Sequence, residues 1–171
     1  LPALWVVYLI RHLKPVPPLL SNYGRERWAA LGLLSLVWLG MAAILVTGWA
    51  PGTYLALELT WGLIPVMVQI GFGGDILWRH WRIVLLGIIP PALYLSAADA
   101  VAITAGTWTI DPAQSLQIFL GGILPIEEFV FFLLTNTLVT LGMLLVMAVQ
   151  SQERVESWWR QRRPAGLTAG S

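Results

Sequence analysis

Long apolar blocks separated by short polar joints set the pattern of this chain. Trp28 to Thr47, Thr53 to about Gly74 and Ile83 to about Ala105 each reach the ~20 residues a membrane crossing needs. Leu1 to Leu13 is apolar too, but too short to cross alone. The last apolar stretch, Ser115 to Gln150, is too long for one straight crossing. Gly121-Gly122 followed by Pro125 gives it a natural break, because proline suits a helix's first turn and glycine weakens a helix interior. That break predicts a short interfacial or re-entrant piece over Ala113 to Leu120 and a last span over Pro125 to Gln150. The joints agree: Pro15-Val16-Pro17-Pro18 cannot be helix interior, and Trp49-Ala50-Pro51-Gly52 reads as a tight turn. Thr107 to Pro112 is a polar loop carrying a tryptophan, and Gly71-Phe72-Gly73-Gly74 reads as a helix terminator. From Gln152 the tail is amphipathic, and from Pro164 it is short and expected to be disordered. The fold class expected is all-α: a polytopic transmembrane helix bundle of about four full spans plus a partial N-terminal one. Residues 1–27 form the partial span and its loop, 28–150 the membrane domain, and 151–171 the tail.

Composition strengthens this picture. Apolar residues make up 57 % of the 171 positions and charged residues 11 %, against the ~25 % charged of ordinary soluble domains. Mean hydropathy is +0.74, and the ten tryptophans suit lipid–water interfaces. Net charge is only +1, so the placement of charge carries more than its sum. Arg11, Lys14, Arg25 and Arg27 fall in the first connection, Arg79 and Arg82 in the third, and Arg154, Arg160, Arg162 and Arg163 in the tail. The connections over 48–52 and 106–114 hold no Lys or Arg. All ten basic residues thus fall on one side, the positive-inside pattern of a cytoplasmic face. A multi-pass protein of the cell membrane with a cytoplasmic C-terminus is expected. No basic stripe interleaved with stacking aromatics is present, which argues against nucleic acid as a partner. Without cysteine, disulfide, thiolate and cysteine–zinc chemistry is excluded. His12 and His80 fall in predicted loops and are not spaced as metal ligands. The chain begins at Leu1 without the basic start and small-residue cleavage site of a signal peptide, so it reads as processed or as part of something longer.

The acids are placed differently. Glu58, Asp99, Asp111, Glu127 and Glu128 all lie within or beside spans on the non-cytoplasmic half. Glu58 and Asp99 are each about two turns in from the outer ends of their spans, and Glu127 and Glu128 occupy the first turn of the last one, so four carboxylates from three helices share one layer. A carboxylate in hydrocarbon costs ~2.5–3.5 kcal/mol on insertion scales, so several together imply a pocket, protonation or a partner. Simpler roles exist for each. Glu58 can snorkel to the interface, Asp111 in Thr-Ile-Asp-Pro can cap a turn, Glu127 and Glu128 can favour the helix dipole, and Asp99 can bond a neighbouring helix. Adjacent helical residues point ~100° apart, so one of Glu127 and Glu128 faces the pocket while the other caps the helix or pairs elsewhere. A carboxyl group held out of water keeps its proton nearer neutrality and can act as a general acid.

Two segments carry a resemblance. Asp99 to Pro112 (Asp-Ala-Val-Ala-Ile-Thr-Ala-Gly-Thr-Trp-Thr-Ile-Asp-Pro) and Leu124 to Asn136 (Leu-Pro-Ile-Glu-Glu-Phe-Val-Phe-Phe-Leu-Leu-Thr-Asn) resemble the membrane-integral lycopene cyclase domain family. Its units carry an aspartate followed by Gly-x-Trp and then a Pro-x-Glu-Glu motif leading into Phe-Phe. The resemblance covers roughly residues 53 to 150; residues 1 to 50 match only in being hydrophobic. It implies redox-neutral closure of a linear carotenoid end group, of the lycopene to β-carotene type, by an isomerase (intramolecular lyase). Glu127 and Glu128 are then the acid/base candidates with Asp99 as partner. Trp108, Phe129, Phe132, Pro125 and Glu58 are the substrate-contact candidates. Aromatic faces steady a carbocation, and exclusion of water keeps it from becoming an alcohol. No cofactor is expected, since no Rossmann-type glycine motif follows a strand and a flavin is therefore not indicated. The implied partners are membrane lipid, the carotenoid, and a second cyclase unit, because only one Pro-x-Glu-Glu motif is present. That unit would be a hetero- or homodimer partner or an N-terminal half. The same motifs would serve a cyclase or hydratase of longer carotenoids. The acid layer alone would also serve a proton-relay or non-catalytic membrane subunit.

Overall fold

The computed structural model describes residues 2–14 and 23–162. Leu1, the proline-rich joint at Pro15-Val16-Pro17-Pro18, Arg163 and the tail from Pro164 lie outside the described residues. Helices dominate: α1 (Pro2–His12), α2 (Tyr23–Thr47), α3 (Thr53–Arg79), α4 (Trp81–Thr104), α5 (Ile126–Met147) and α6 (Val149–Arg162). Four of these, α2 to α5, are long and apolar enough to cross a membrane, and α1 is the partial span. The chain is a multi-pass helix bundle.

α5 is the centre of the bundle, packing against α1, α3 and α4, while α2 packs on α3. Glycines set how closely these helices approach. A Cβ on Gly62 of α3 would collide with the Leu134 side chain of α5, and one on Gly73 would collide with Leu145. A Cβ on Gly87 of α4 would come 2.5 Å from Thr140 Cγ2 of α5. The first two pairings run α3 parallel to α5, and Gly87 beside Thr140 with Asp99 near Glu128 runs α4 antiparallel to it. The α2–α3 contact is fastened by the Trp38 indole donating to the Thr60 carbonyl at 2.8 Å. The indole of Trp5 ties α1 to the Leu86 carbonyl of α4, also at 2.8 Å. The main apolar core, including Leu9, Ile76, Leu77, Ile83, Leu144 and Leu145, gathers at the arginine-bearing end, where α1 adds a fifth helix to the bundle.

Several local expectations need correction. Gly71-Phe72-Gly73-Gly74 does not end α3. The backbone leaves helical values at Gly73 and the helix resumes to Arg79, because flanking packing against α5 carries it through. The released Phe72 carbonyl accepts from Arg154 of α6, which also pairs with the Asp75 carboxylate. His12 closes α1 rather than lying in a loop, its ring bonded to the Tyr8 carbonyl one turn back at 2.8 Å; His80 does separate α3 from α4. Pro125 precedes α5 instead of sitting in its first turn: its ψ of 141° is extended. The last span ends at Met147, because Ala148 is extended and α6 begins beyond it. The segment over 113–120 is a 3-10 turn and coil leading into a two-residue strand pair, Phe119–Leu120 with Leu124–Pro125. Gly121 and Gly122, at φ of 59° and 74°, supply the left-handed turn this hairpin requires.

Candidate active site

The loop between α4 and α5 is laced onto the start of α5 by a carboxylate. Glu127 is fully buried, and its Oε1 accepts the Leu116 N–H at 2.7 Å. The Ile126 N–H reaches back to the Ile118 carbonyl at 2.9 Å. Between these bonds Gln117 holds a φ of 57°, a left-handed backbone costing on the order of 1 kcal/mol for a non-glycine residue. Its N–H bonds to the Oγ of buried Ser115 at 3.2 Å, which helps hold that conformation. The other oxygen of Glu127, Oε2, is buried with no hydrogen-bond partner.

Glu128 is turned ~100° from Glu127 and is half-buried. It lies within electrostatic reach of Asp99 on α4 and of Glu127, and Glu58 on α3 feels both Glu128 and Glu127. Glu58 Oε2 and Asp99 Oδ2 are each buried without a partner. The Trp108 side chain, in the loop after α4, interacts with the Asp99 carboxylate. The four acids from three helices therefore form one layer. Among the described residues the ion pairs are Arg154–Asp75 and Arg160–Glu156, and neither touches this layer. Among the described residues no group of three or more His, Asp or Glu is gathered closely enough to hold a metal ion.

The remaining candidates divide. Phe132 stands one turn beyond Glu128, on the same face of α5, and meets Phe131 edge-on with centroids 5.7 Å apart. Phe129 is half-buried but lies ~100° away from Glu128 on the helix. Pro125 is buried in the strand pair, opposite Phe119, and braces the loop. Asp111 stands outside the layer: it is exposed, and its Oδ1 accepts the Ala113 N–H at 3.0 Å as a turn cap. Two features were missed by sequence reasoning. The Leu116 backbone amide leaves no trace in residue type. Ser96 does: three residues before Asp99 on α4, it is buried with an unpartnered Oγ, and that spacing puts it on the aspartate's face.

The layer can hold a proton on one carboxyl while a neighbour is ionised. With indole and phenyl rings beside it and the bilayer around it, it suits proton transfer to and from an apolar molecule. The chain is 32 % identical over 154 residues to the lycopene beta-cyclase of Halobacterium salinarum, a match covering 90 % of this chain and 62 % of the relative. It is 38 % identical over 96 residues to the bifunctional lycopene cyclase/phytoene synthase of Phaeosphaeria nodorum, covering 56 % of this chain and 16 % of that protein. It is also 38 % identical over 112 residues to the protein of that name from Podospora anserina, covering 65 % and 18 %. No family model and no solved structure matches the chain.

Proposed function

We propose that this chain, a member of the lycopene cyclase family that spans 62 % of the length of its archaeal relatives, acts in a membrane enzyme closing the ψ end of lycopene into a ring. The observation that carries this reading is Glu128: a half-buried carboxyl among Asp99, Glu58 and Glu127, with no cation paired to it among the described residues. Protonated Glu128 gives its proton to the terminal double bond of the end group, leaving a tertiary cation. The next double bond along the chain attacks that cation and closes a six-membered ring. Loss of a proton from a carbon beside the new cation restores a double bond, and Asp99 or the emptied Glu128 takes it up. One proton enters and one leaves, so the product is an isomer and the enzyme an intramolecular lyase. Trp108 and Phe132 present ring faces to the cation, and the lipid surroundings deny it water.

Glu127 acts as a positioning residue in this scheme, holding Leu116 and thereby the loop that brings Trp108 to Asp99. Substrate enters from the bilayer in which it dissolves. A second cyclase unit, as a separate subunit or as further chain, completes the site, consistent with the single Pro-x-Glu-Glu motif. The C-terminal helix α6 faces the cytoplasm. We place the membrane unit at 28–150 and the tail at 151–171.

Expression in a lycopene-accumulating host, alone and with a candidate second unit, followed by pigment chromatography, tests the reading. A cyclic carotenoid is expected, and its loss in the Glu128→Gln variant. Unchanged lycopene in every combination, with the protein present in the membrane, overturns it.

A further inference from the structure

At the arginine-bearing end, α2, α3, α4 and α5 enclose a cleft of about 660 Å³, within the ~300–1,000 Å³ of ligand sites. Its walls are aliphatic, with Leu34 from α2, Val66 and Ile70 from α3, Val84 from α4 and Leu141 from α5. Arg27 and Arg79 close one end beside Trp78 and Trp81, the pairing of guanidinium and indole found at lipid–water interfaces. Neither arginine belongs to an ion pair among the described residues. Arg27 reaches the Gly71 carbonyl at 3.5 Å and lies 5.7 Å from the Trp28 ring, which leaves most of its donors free. From Val66 to Arg79, α3 rises about 20 Å at ~1.5 Å per residue. The cleft thus runs from the interface beyond the middle of a hydrocarbon core ~30 Å thick. α2 packs chiefly on α3 and none of the residues in its apolar window is fully buried, so the cleft opens laterally toward lipid.

This cleft is separate from the carboxylate layer. Thr137, which lines it, is nine residues after Glu128. Nine residues are ~900° of helix, half a turn round, so the two features occupy opposite sides of α5. We propose that the cleft is a lipid site that seats one acyl chain of an anionic glycerophospholipid, with its phosphate between Arg27 and Arg79. The acyl chain meets mainly aliphatic walls, and the phosphate meets two guanidiniums whose fork geometry suits its oxygens. Glu26 also lines the rim and opposes the anion, so removing its charge tightens the site.

The test is native mass spectrometry of the purified full chain in detergent, titrated with phosphatidylglycerol or phosphatidylcholine of matched acyl chains. Phosphatidylglycerol is expected to bind at least tenfold more tightly. Arg27→Gln with Arg79→Gln should reduce that preference to less than threefold, Ile70→Trp should weaken both lipids, and Glu26→Gln should tighten phosphatidylglycerol about twofold. Equal affinity for the two lipids overturns the proposal. So does a preference that survives the double arginine variant, or a loss of affinity in Glu26→Gln. Glycerol 3-phosphate competing as well as the intact lipid would overturn the role of the acyl chain. None of these outcomes depends on ring formation, so the site stands or falls separately from the cyclase reading.

Discussion

In the proposed scheme, two adjacent glutamates divide the work at the residue scale. Glu127 is fully buried and spends one oxygen on the Leu116 N–H, whereas Glu128 is half-buried among the other acids. A glutamine at 127 keeps the accepting oxygen, so Glu127→Gln should retain ring formation within about fivefold, while Glu127→Leu strands a backbone donor at ~1–3 kcal/mol and should lower activity and thermal stability together. Glu128→Gln, which cannot give up an acidic proton, should reduce ring formation more than 100-fold with stability unchanged, a drop within the range general acids supply. Pigment yield normalised to membrane-inserted protein, read beside a melting curve, checks all three. Equal loss in Glu127→Gln and Glu128→Gln with stability unchanged would contradict the division. The sequence made the layer itself legible, because acids inside apolar spans stand out against their neighbours. It left the choice between Glu127 and Glu128 open, because their division depends on the Leu116 amide, and a backbone amide is the same at every residue.

At the scale of elements, spans were legible and their interruptions were not. Runs of apolar residues fix where α2 to α5 lie, since the bilayer demands length and hydrogen-bond closure whatever the neighbours. The course of α3 past Gly73 depends on tertiary contacts: Arg154 takes the freed Phe72 carbonyl and pairs with Asp75. Both side chains of that pair are about a third exposed, at 37 and 35 %, so solvent screening limits it to roughly 1 kcal/mol. Asp75→Ala should therefore loosen α6 without disturbing the spans, raising the rate of trypsin cleavage within 154–162 about fivefold in detergent. An unchanged cleavage rate would mean that α6 is held by other contacts. Between α4 and α5 the constraint is steric. Gly87→Val drives a branched side chain into Thr140, whose Cγ2 would already lie 2.5 Å from a bare Cβ. Overpacking of this kind costs ~1–3 kcal/mol, so a lower melting temperature is expected, with a smaller drop for Gly87→Ala. The sequence marks Gly87 only as one of sixteen glycines, and what it faces emerges only with the helix pairing.

For the whole molecule, the distribution of charge and the packing describe the same two ends. Arg27 approaches Gly71, and Arg154 joins Asp75 near the end of α3, so the basic residues of separate connections meet at one end of the bundle. Glu58, Asp99 and Glu128 meet at the other. The proposed orientation, with the arginines in the cytoplasm by the positive-inside rule, would set the carboxylate layer toward the outer leaflet. The absence of cysteine makes this directly measurable, because any introduced thiol is the chain's single reactive one. Thr109→Cys, in the exposed loop after α4, should be labelled by a membrane-impermeant maleimide in intact cells. Gln161→Cys, exposed on α6, should be labelled only after the membrane is opened. The reverse pattern would invert the molecule and turn the carboxylate layer toward the inner leaflet. Labelling of both residues in intact cells would mean an even number of crossings between them, which contradicts the single α5 span. If Thr109 is outside as expected, a second unit must enter the bilayer with its own acid-bearing end at the same level to share the site. Labelling of Thr109→Cys should then fall when that unit is co-expressed, because the loop carrying Trp108 becomes covered.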